Sequence, residues 1–413
     1  MSEFKRLEVH WYSLVLLRTT RFEGLMDSLG KRKIAGPAGW ALLYLMPVAA
    51  AVGFFIFLRP IELLFSPSAP AFVSYVRTLS PLGNIGIPGL NPYLPIVDGW
   101  IALIIAMIVH EGAHGIVARS LGLPVKSSGL IFFLFVIPIG AFVDVDEDAL
   151  KVAKASHAGR VLAAGAGVNL VLAVVCLLLL FSAVGNLRPK VDGIAVGSVN
   201  PGYPAAQAGI RPGDFITAVN GIPIDSSAAV NGSSWYRIGQ SVNITVWRDG
   251  EYLQFNQVVI GSYPVNDTRT GIVSQRPIIG FGGVDYSTLT GMVSTYSGSF
   301  FSRALYFDIP TLPIAQGVVP FGDSTAAFYT SSIGSSLVPL LDLLYWIFFL
   351  NFNLAIFNSL PLYPLDGGQA FMVGLKALGG EKLSEESLGR LTTAASLIVL
   401  GIILLVVAGP YLL

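Results

Sequence analysis

Trp100-Ile101-Ala102-Leu103-Ile104-Ile105-Ala106-Met107-Ile108-Val109-His110-Glu111-Gly112-Ala113-His114 is an uncharged apolar run that ends in two histidines and a glutamate. A run of this kind predicts a helix that crosses a membrane. Imidazole and carboxylate groups cost a few kcal/mol each on entering hydrocarbon, so their presence inside such a helix points to chemistry done there. On a helix, His110 and His114 lie about one turn apart and project from one face, where both ring nitrogens can reach one tetrahedral metal. Glu111 stands beside them, placed to take a proton from a water that such a metal activates.

The rest of the chain supports a membrane setting. Of its 413 residues 53% are hydrophobic and 12% charged, against about a quarter charged in a soluble protein. Net charge is zero and the basic residues form no cluster, which excludes nucleic acid as a partner. The single cysteine, Cys176, excludes both a disulfide framework and a cysteine-based zinc site. The N-terminus opens on charged and mixed residues, so no cleavable signal peptide is expected.

Apolar stretches at roughly 38–58, 99–119, 161–185, 337–360 and 391–412 are long enough to span about 30 Å of hydrocarbon at about 1.5 Å per residue. A shorter stretch, Leu130 to Val143, carries Pro138 and Gly140 and is rich in Ile, Phe and Val; it reads as a re-entrant hairpin packed against protein. Lys31, Arg32 and Lys33 precede the first span, and Arg119, Lys126, Lys151, Lys154 and Arg160 lie between the second and third. This bias predicts a multi-pass protein of the cell membrane with a cytoplasmic N-terminus and an extracytoplasmic insert between the third and fourth spans. Sequons at Asn231, Asn243 and Asn266 fall in that insert.

Within the insert, charges return and short alternating runs such as Ser241–Trp247 read as strands. The stretch Val199-Asn-Pro-Gly-Tyr-Pro-Ala-Ala-Gln-Ala-Gly-Ile-Arg-Pro-Gly-Asp-Phe-Ile-Thr-Ala-Val-Asn-Gly221 closely resembles a PDZ domain of the bacterial protease type. That resemblance implies a short helix bearing Ala205, Ala206 and Ala208 and ended by Gly209, and a tight hairpin at Asn220-Gly221. It also implies a bound peptide or C-terminus, added as a strand in a groove lined by the apolar region from Val191 to Val199. The Ser-, Thr- and Gly-rich residues 286–336 are expected to form amphipathic helices at the outer membrane surface, with a flexible connector as the other reading.

Two histidines leave a catalytic zinc site one protein ligand short. His10 and His157 fall outside the expected spans and read as surface residues. Phe357-Asn-Ser-Leu-Pro-Leu-Tyr-Pro-Leu-Asp-Gly-Gly368 holds a single acidic residue, Asp366. Taken alone, Asp366 reads as a helix cap; with a His-Glu-x-x-His partner in the chain it reads as the third ligand. His110 lies roughly 17 Å into the second span. Pro361 and Pro364 break the chain after the fourth span, allowing a turn that returns Asp366 to the same depth.

Together these motifs resemble the site-two protease family of intramembrane zinc metalloproteases. The resemblance rests on the His-Glu-x-x-His helix, the Asn-x-x-Pro-x-x-Pro-Leu-Asp-Gly-Gly segment, Gly165, Gly167 and Asn169 in a central span, and a PDZ insert between the third and fourth spans. It implies one Zn2+ held by His110, His114 and Asp366, Glu111 as catalytic base, and transmembrane protein substrates met within membrane lipid. It also implies substrate-binding roles for Asn358 and Asn169, with a tie between helices as the other reading of Asn358. Asn351 and Asn353 read as such ties, and Gly112 and Gly115 as places where another element comes close.

The expected fold class is thus a polytopic α-helical membrane protein, with about five spans and a re-entrant hairpin, carrying a small extracytoplasmic β-rich PDZ domain. The expected segments are 1–37, a cytoplasmic N-terminal segment; 38–188, the first membrane part; 189–285, PDZ; 286–336, the connector; and 337–413, the second membrane part. The rival reading, a membrane-anchored PDZ scaffold or chaperone with a structural metal, gives Glu111 no purpose. A zinc transporter would need further ligands along a path, where the spans offer only Asp342.

Overall fold

The computed structural model describes residues 4–10, 14–19, 22–133, 137–224, 236–266, 273–297, 321–322 and 325–412. In chain order, β1 (Phe4–His10), β2 (Leu14–Thr19) and α1 (Glu23–Gly30) precede α2 (Ala35–Leu64) and α3 (Ala69–Thr78). Next come α4 (Ile96–Ser120), β3 (Val125–Phe133), β4 (Ile137–Val145), α5 (Glu147–Val152) and α6 (Ala155–Ala183). A β-rich stretch follows: β5 (Leu187–Pro189), β6 (Ile194–Val199), α7 (Pro204–Ala208), β7 (Phe215–Val219), β8 (Ile222–Pro223), β9 (Ser241–Arg248) and β10 (Glu251–Val259). It continues through β11 (Gly261–Asn266), β12 (Val273–Ile278), β13 (Phe281–Asp285), α8 (Tyr286–Ser297) and β14 (Tyr329–Ser331). The chain closes on α9 (Leu337–Ser359), α10 (Asp366–Gly379) and α11 (Glu385–Leu412). Two compact units result, Met1–Leu178 with Leu343–Leu413, and Leu179–Asp342.

Each of the apolar stretches expected to span is a helix long and apolar enough to do so: Ala35–Leu64, Ile96–Ser120, Ala155–Asn186, Leu337–Ser359 and Glu385–Leu412. Helical hydrogen bonding satisfies the backbone where lipid cannot, and α2 runs on through Pro47 and Pro60. α9, α4 and α6 are buried along more of their length than α2 and α11. The inner helices are therefore those that carry His110, His114, Gly165 and Asn358.

The expected hairpin is β3 and β4, paired antiparallel with Leu130 opposite Ala141 and Ser128 opposite Val143. Its tip, residues 134–136, lies outside the described residues. The hairpin is half of a four-stranded sheet of order β1-β2-β3-β4, because β2 pairs with β3 from Leu14–Phe133 to Thr19–Ser128. The N-terminal residues, expected as a plain cytoplasmic segment, thus supply two strands and α1. Arg119 near the end of α4 fixes α1, with Nε 3.2 Å from Asp27 and Nη2 3.7 Å from Glu23. Met26, Ala113, Val117, Ala118, Val125, Val161 and Ala164 form the core that joins α1, α4, α6 and β3. β4 is left as the sheet edge.

In the unit Leu179–Asp342 the main sheet has the order β10-β9-β7-β6-β13, with β8 turning back on β7. Asn220 and Gly221 both have positive φ, 52° and 78°, the left-handed pair that a two-residue hairpin requires. α7 ends at Gly209, φ 86°. Val196, Ile210, Ile216, Val242, Ile244, Val246 and Ile260 fill the core, and Arg248 is paired with buried Asp214 at 2.7 Å. β6 lies inside the sheet, paired to β13 along its length and to β7 at Ile194 and Ala195. The expected groove strand is therefore no free edge; an added strand would meet β13 or β10. Asn231 and residues 298–320 of the expected connector lie outside the described residues, and within that connector α8 and β14 are formed.

Candidate metal centre and hydrolytic site

α4 presents His110 and His114 on one face, their ring centroids 4.9 Å apart. Asp366 reaches them from the far end of the chain. After Ser359 the chain turns through Leu360–Leu365, where the Tyr363–Pro364 peptide is cis, and α10 begins at Asp366. A side chain on Gly367 would collide with the backbone of Ser359 and Leu360, and one on Gly368 with that of Leu362 and Tyr363. The Gly-Gly pair is what allows so tight a return. Leu365 occupies the N-cap of α10 with no side-chain hydrogen bond, so Asp366 is not spent on capping. Its Oδ2 lies 3.1 Å from His110 Nε2 and 3.2 Å from His114 Nε2. One ligand atom from each of the three residues falls within 4.8 Å of the others, with both histidines buried.

The surroundings fit a metal. His114 Nδ1 stands 2.7 Å from the carbonyl of Val161 on α6; a carbonyl only accepts, so Nδ1 carries the proton and the Nε2 lone pair faces the cluster. Asp366 Oδ2 is buried without a hydrogen bond, an arrangement that is costly unless a cation meets it. On the open side of the cluster, a Cβ on Gly165 would strike Nε2 of both histidines. Gly165 thus leaves vacant the volume that an ion needs. Two imidazoles and a carboxylate are a donor set that suits zinc.

Glu111 follows His110 on α4 and accepts a hydrogen bond from the Val143 N–H of β4, 3.0 Å away. Glu111 borders a cavity of about 300 Å³ that is also lined by Met107, His110, Gly140, Ala141, Leu354, Asn358, Pro364, Leu365 and Asp366. A proton acceptor, a metal cluster, an edge strand and an amide side chain therefore share one largely apolar chamber, equipped for water-dependent hydrolysis.

Of the asparagines singled out from sequence, Asn358 lines this cavity. Asn169 is fully buried away from it, its Nδ2 3.5 Å from the carbonyl of Ala106, one turn before His110. That contact ties α6 to α4 and brings no polar group to the chamber. Asn351 and Asn353 donate to the carbonyls of Ile347 and Phe349, within α9 itself, rather than joining helices. Gly115 admits Met26 and Val143 at close range, whereas the space around Gly112 is open. Neither the Val161 carbonyl nor the Val143 N–H was legible from residue types, since backbone groups have no residue signature. Gly165 could be found as a small residue in a patterned apolar helix, but its partner could not.

Comparison with known proteins agrees with this geometry. The profile described as Peptidase family M50 matches residues 99–403, which include every residue of the cluster. An uncharacterised protein of Methanocaldococcus jannaschii is 27% identical over 412 residues, covering 94% of this chain and 89% of its own. A provisionally named zinc metalloprotease of Brucella suis is 26% identical over 336 residues, 68% of this chain and 86% of its own. Zinc metalloprotease RasP of Shouchella clausii is 25% identical over 190 residues, 46% of this chain and 44% of its own. With the profile spanning well over half the sequence, the chain belongs to peptidase family M50, the site-2 protease family of metalloproteases.

Proposed function

We propose that this protein is an intramembrane zinc endopeptidase that cleaves transmembrane segments of membrane proteins, releasing fragments in regulated intramembrane proteolysis. The observation that carries the reading is the convergence of His110, His114 and Asp366, with Glu111 beside them on a helix long and apolar enough to span a bilayer. The names of the Brucella suis and Shouchella clausii relatives both specify zinc, and the donor set is one that zinc accepts.

His110, His114 and Asp366 would hold the metal. A zinc ion held there would supply Lewis acidity towards the scissile carbonyl and make a nearby water easier to deprotonate at neutral pH. Glu111 takes the proton of the attacking water and hands it to the leaving amine. A substrate helix hides its peptide bonds, so it must unwind locally before attack. The free edge of β4, with Gly140 and Ala141 on the cavity wall, offers main-chain partners to the extended segment. Asn358, which also lines the cavity, can donate to or accept from the freed peptide groups. No comparable role falls to Asn169, which acts by holding α6 to α4.

The insertion is read as an extracytoplasmic PDZ domain, supported by the Gly209 helix stop, the Asn220-Gly221 hairpin and the sheet order. A peptide or new C-terminus would pair with the exposed edge of β13, making the domain a filter or a recruiter of substrates. The lysine and arginine distribution supports a cytoplasmic N-terminus. A scaffold with a structural metal would leave Glu111 at the cavity unexplained.

Glu111→Gln tests the reading directly. It should abolish cleavage of a model transmembrane substrate reconstituted in liposomes while zinc content, measured by mass spectrometry, stays at the parental level. Cleavage retained at the parental rate would remove the mechanism.

A further inference from the structure

Val143 lies on the edge strand β4, directly opposite Ser128 of β3. An antiparallel ladder turns every second amide of an edge strand away from its partner. The N–H of Val143 is such an amide, and it points neither to solvent nor to another strand but to Glu111 Oε2, 3.0 Å away. The strand is seated firmly enough to make that donor a fixed point. A Cβ at Gly115, one turn beyond Glu111, would come within 3.1 Å of Val143 Cγ1. Val143 also packs on the cluster formed by Met26, Ala113, Val117 and Ala164. On its inner side β4 is held by β3, and β3 in turn by β2.

We propose that the main-chain N–H of Val143 is a positioning group for Glu111, holding one carboxylate oxygen so that the other faces the water beside the metal cluster. This rests on the reading of Glu111 as general base. A glutamate at the rim of a cavity has several rotamers open to it, and one displaced by an ångström loses much of its catalytic effect. A charge-assisted bond from a backbone donor removes that freedom, and the donor itself has no side-chain entropy to lose. The donor comes from the sheet and not from the helix that carries the base, so the base is set only when β4 is docked on α4. Assembly of the sheet, N-terminal strands included, is thereby coupled to competence for hydrolysis.

Val143→Pro removes the donor at an edge position, where proline is tolerated. Val143→Ala keeps the donor and removes only the packing methyls. Both are to be compared in the full chain, reconstituted in liposomes with a model transmembrane substrate, reading kcat, KM and zinc content. Val143→Pro should lower kcat by about ten- to a hundredfold with KM and zinc content near parental values, a clearly larger drop than that of Val143→Ala, which loses packing but keeps the donor. Should the proline variant lose zinc or fail to fold, the decisive form replaces the Val143 N–H by an ester oxygen, through incorporation of α-hydroxyisovaleric acid at that position; the same drop in kcat is expected. A parental kcat in whichever donor-less form keeps its zinc overturns the proposal, and so does an equal loss in Val143→Ala. The two readings fail separately. Parental cleavage by Glu111→Gln sinks the general base and this proposal with it, whereas a dead Glu111→Gln beside a fully active Val143→Pro sinks the positioning role alone.

Discussion

Gly165 leaves the proposed metal centre little latitude. Its backbone approaches so closely that even a methyl group would lie against Nε2 of both His110 and His114. Neighbouring Ala164 and Ala166 are themselves fully buried, so α6 cannot easily back away. Gly165→Ala should therefore weaken zinc binding about tenfold or more, in the range seen when groups behind metal ligands are altered. Metal content and cleavage should fall together, the opposite of the Glu111→Gln signature, in which zinc stays and hydrolysis stops. Unchanged zinc affinity in Gly165→Ala would show that the ion lies elsewhere than in the space this glycine leaves. At this scale the sequence is informative where chemistry and spacing coincide. His110 and His114 announce a shared ligand because four residues make one helical turn, and Asp366 stands out as the lone carboxylate in its segment. The carbonyl of Val161 and the N–H of Val143 could not be read, because every residue has those groups and only the fold selects which are used.

The turn between α9 and α10 shows how an element brings a distant residue into place. Proline at 361 and 364 stops the helix, Gly367 and Gly368 let α10 fold back against it, and α11 supplies the fastening. Ser396 Oγ accepts from the Tyr363 N–H at 2.9 Å, while its own proton goes to the Thr392 carbonyl at 2.8 Å. The Tyr363 N–H has no helical partner, so the hydroxyl satisfies a donor that the proline break leaves open. Ser396→Ala removes about 1 kcal/mol of such bonding. The turn carries Asp366, the proposed third ligand, so the loss should appear as zinc affinity lower by roughly three- to tenfold, with secondary structure unchanged by circular dichroism. Parental affinity would mean that Pro and Gly alone hold Asp366 in place. The proline and glycine content foretold the turn; the serine on the last helix could not be foretold, since nothing local marks it as a partner. The same contrast holds for the larger elements. Long apolar runs declare themselves by length and composition, and the spanning helices were legible within several residues at each end. β2 has mixed composition and takes its place by pairing with β3 more than a hundred residues further along, a non-local contact that no window of sequence contains, and β1 is carried with it by pairing with β2.

The division of the chain into two units makes a prediction for the whole molecule. Every residue of the metal cluster and of the cavity lies in the unit formed by Met1–Leu178 and Leu343–Leu413. The main sheet of the other unit enters and leaves at one place, because Ile194 and Asp285 are partners across β6 and β13, about 5 Å apart for paired strands. Excising the residues between them and closing the gap with a short glycine-serine linker should therefore leave the chain path outside that sheet unstrained, at the cost of the packing of Phe328 on Phe215. The pairing of β5 with β14, from Leu187–Ser331 to Pro189–Tyr329, lies outside the excised stretch. If the insertion acts by selecting substrates, the excised protein should bind zinc at the parental stoichiometry. It should also cleave a short, readily unwound model segment within about threefold of the parental rate, as expected for sites that share no partners. What should change is the choice among membrane proteins, visible as an altered set of cleaved species when membranes carrying the excised form are compared with those carrying the intact chain. Loss of zinc on excision would place the insertion within the hydrolytic core; an unaltered set of cleaved proteins would deny it any part in selection.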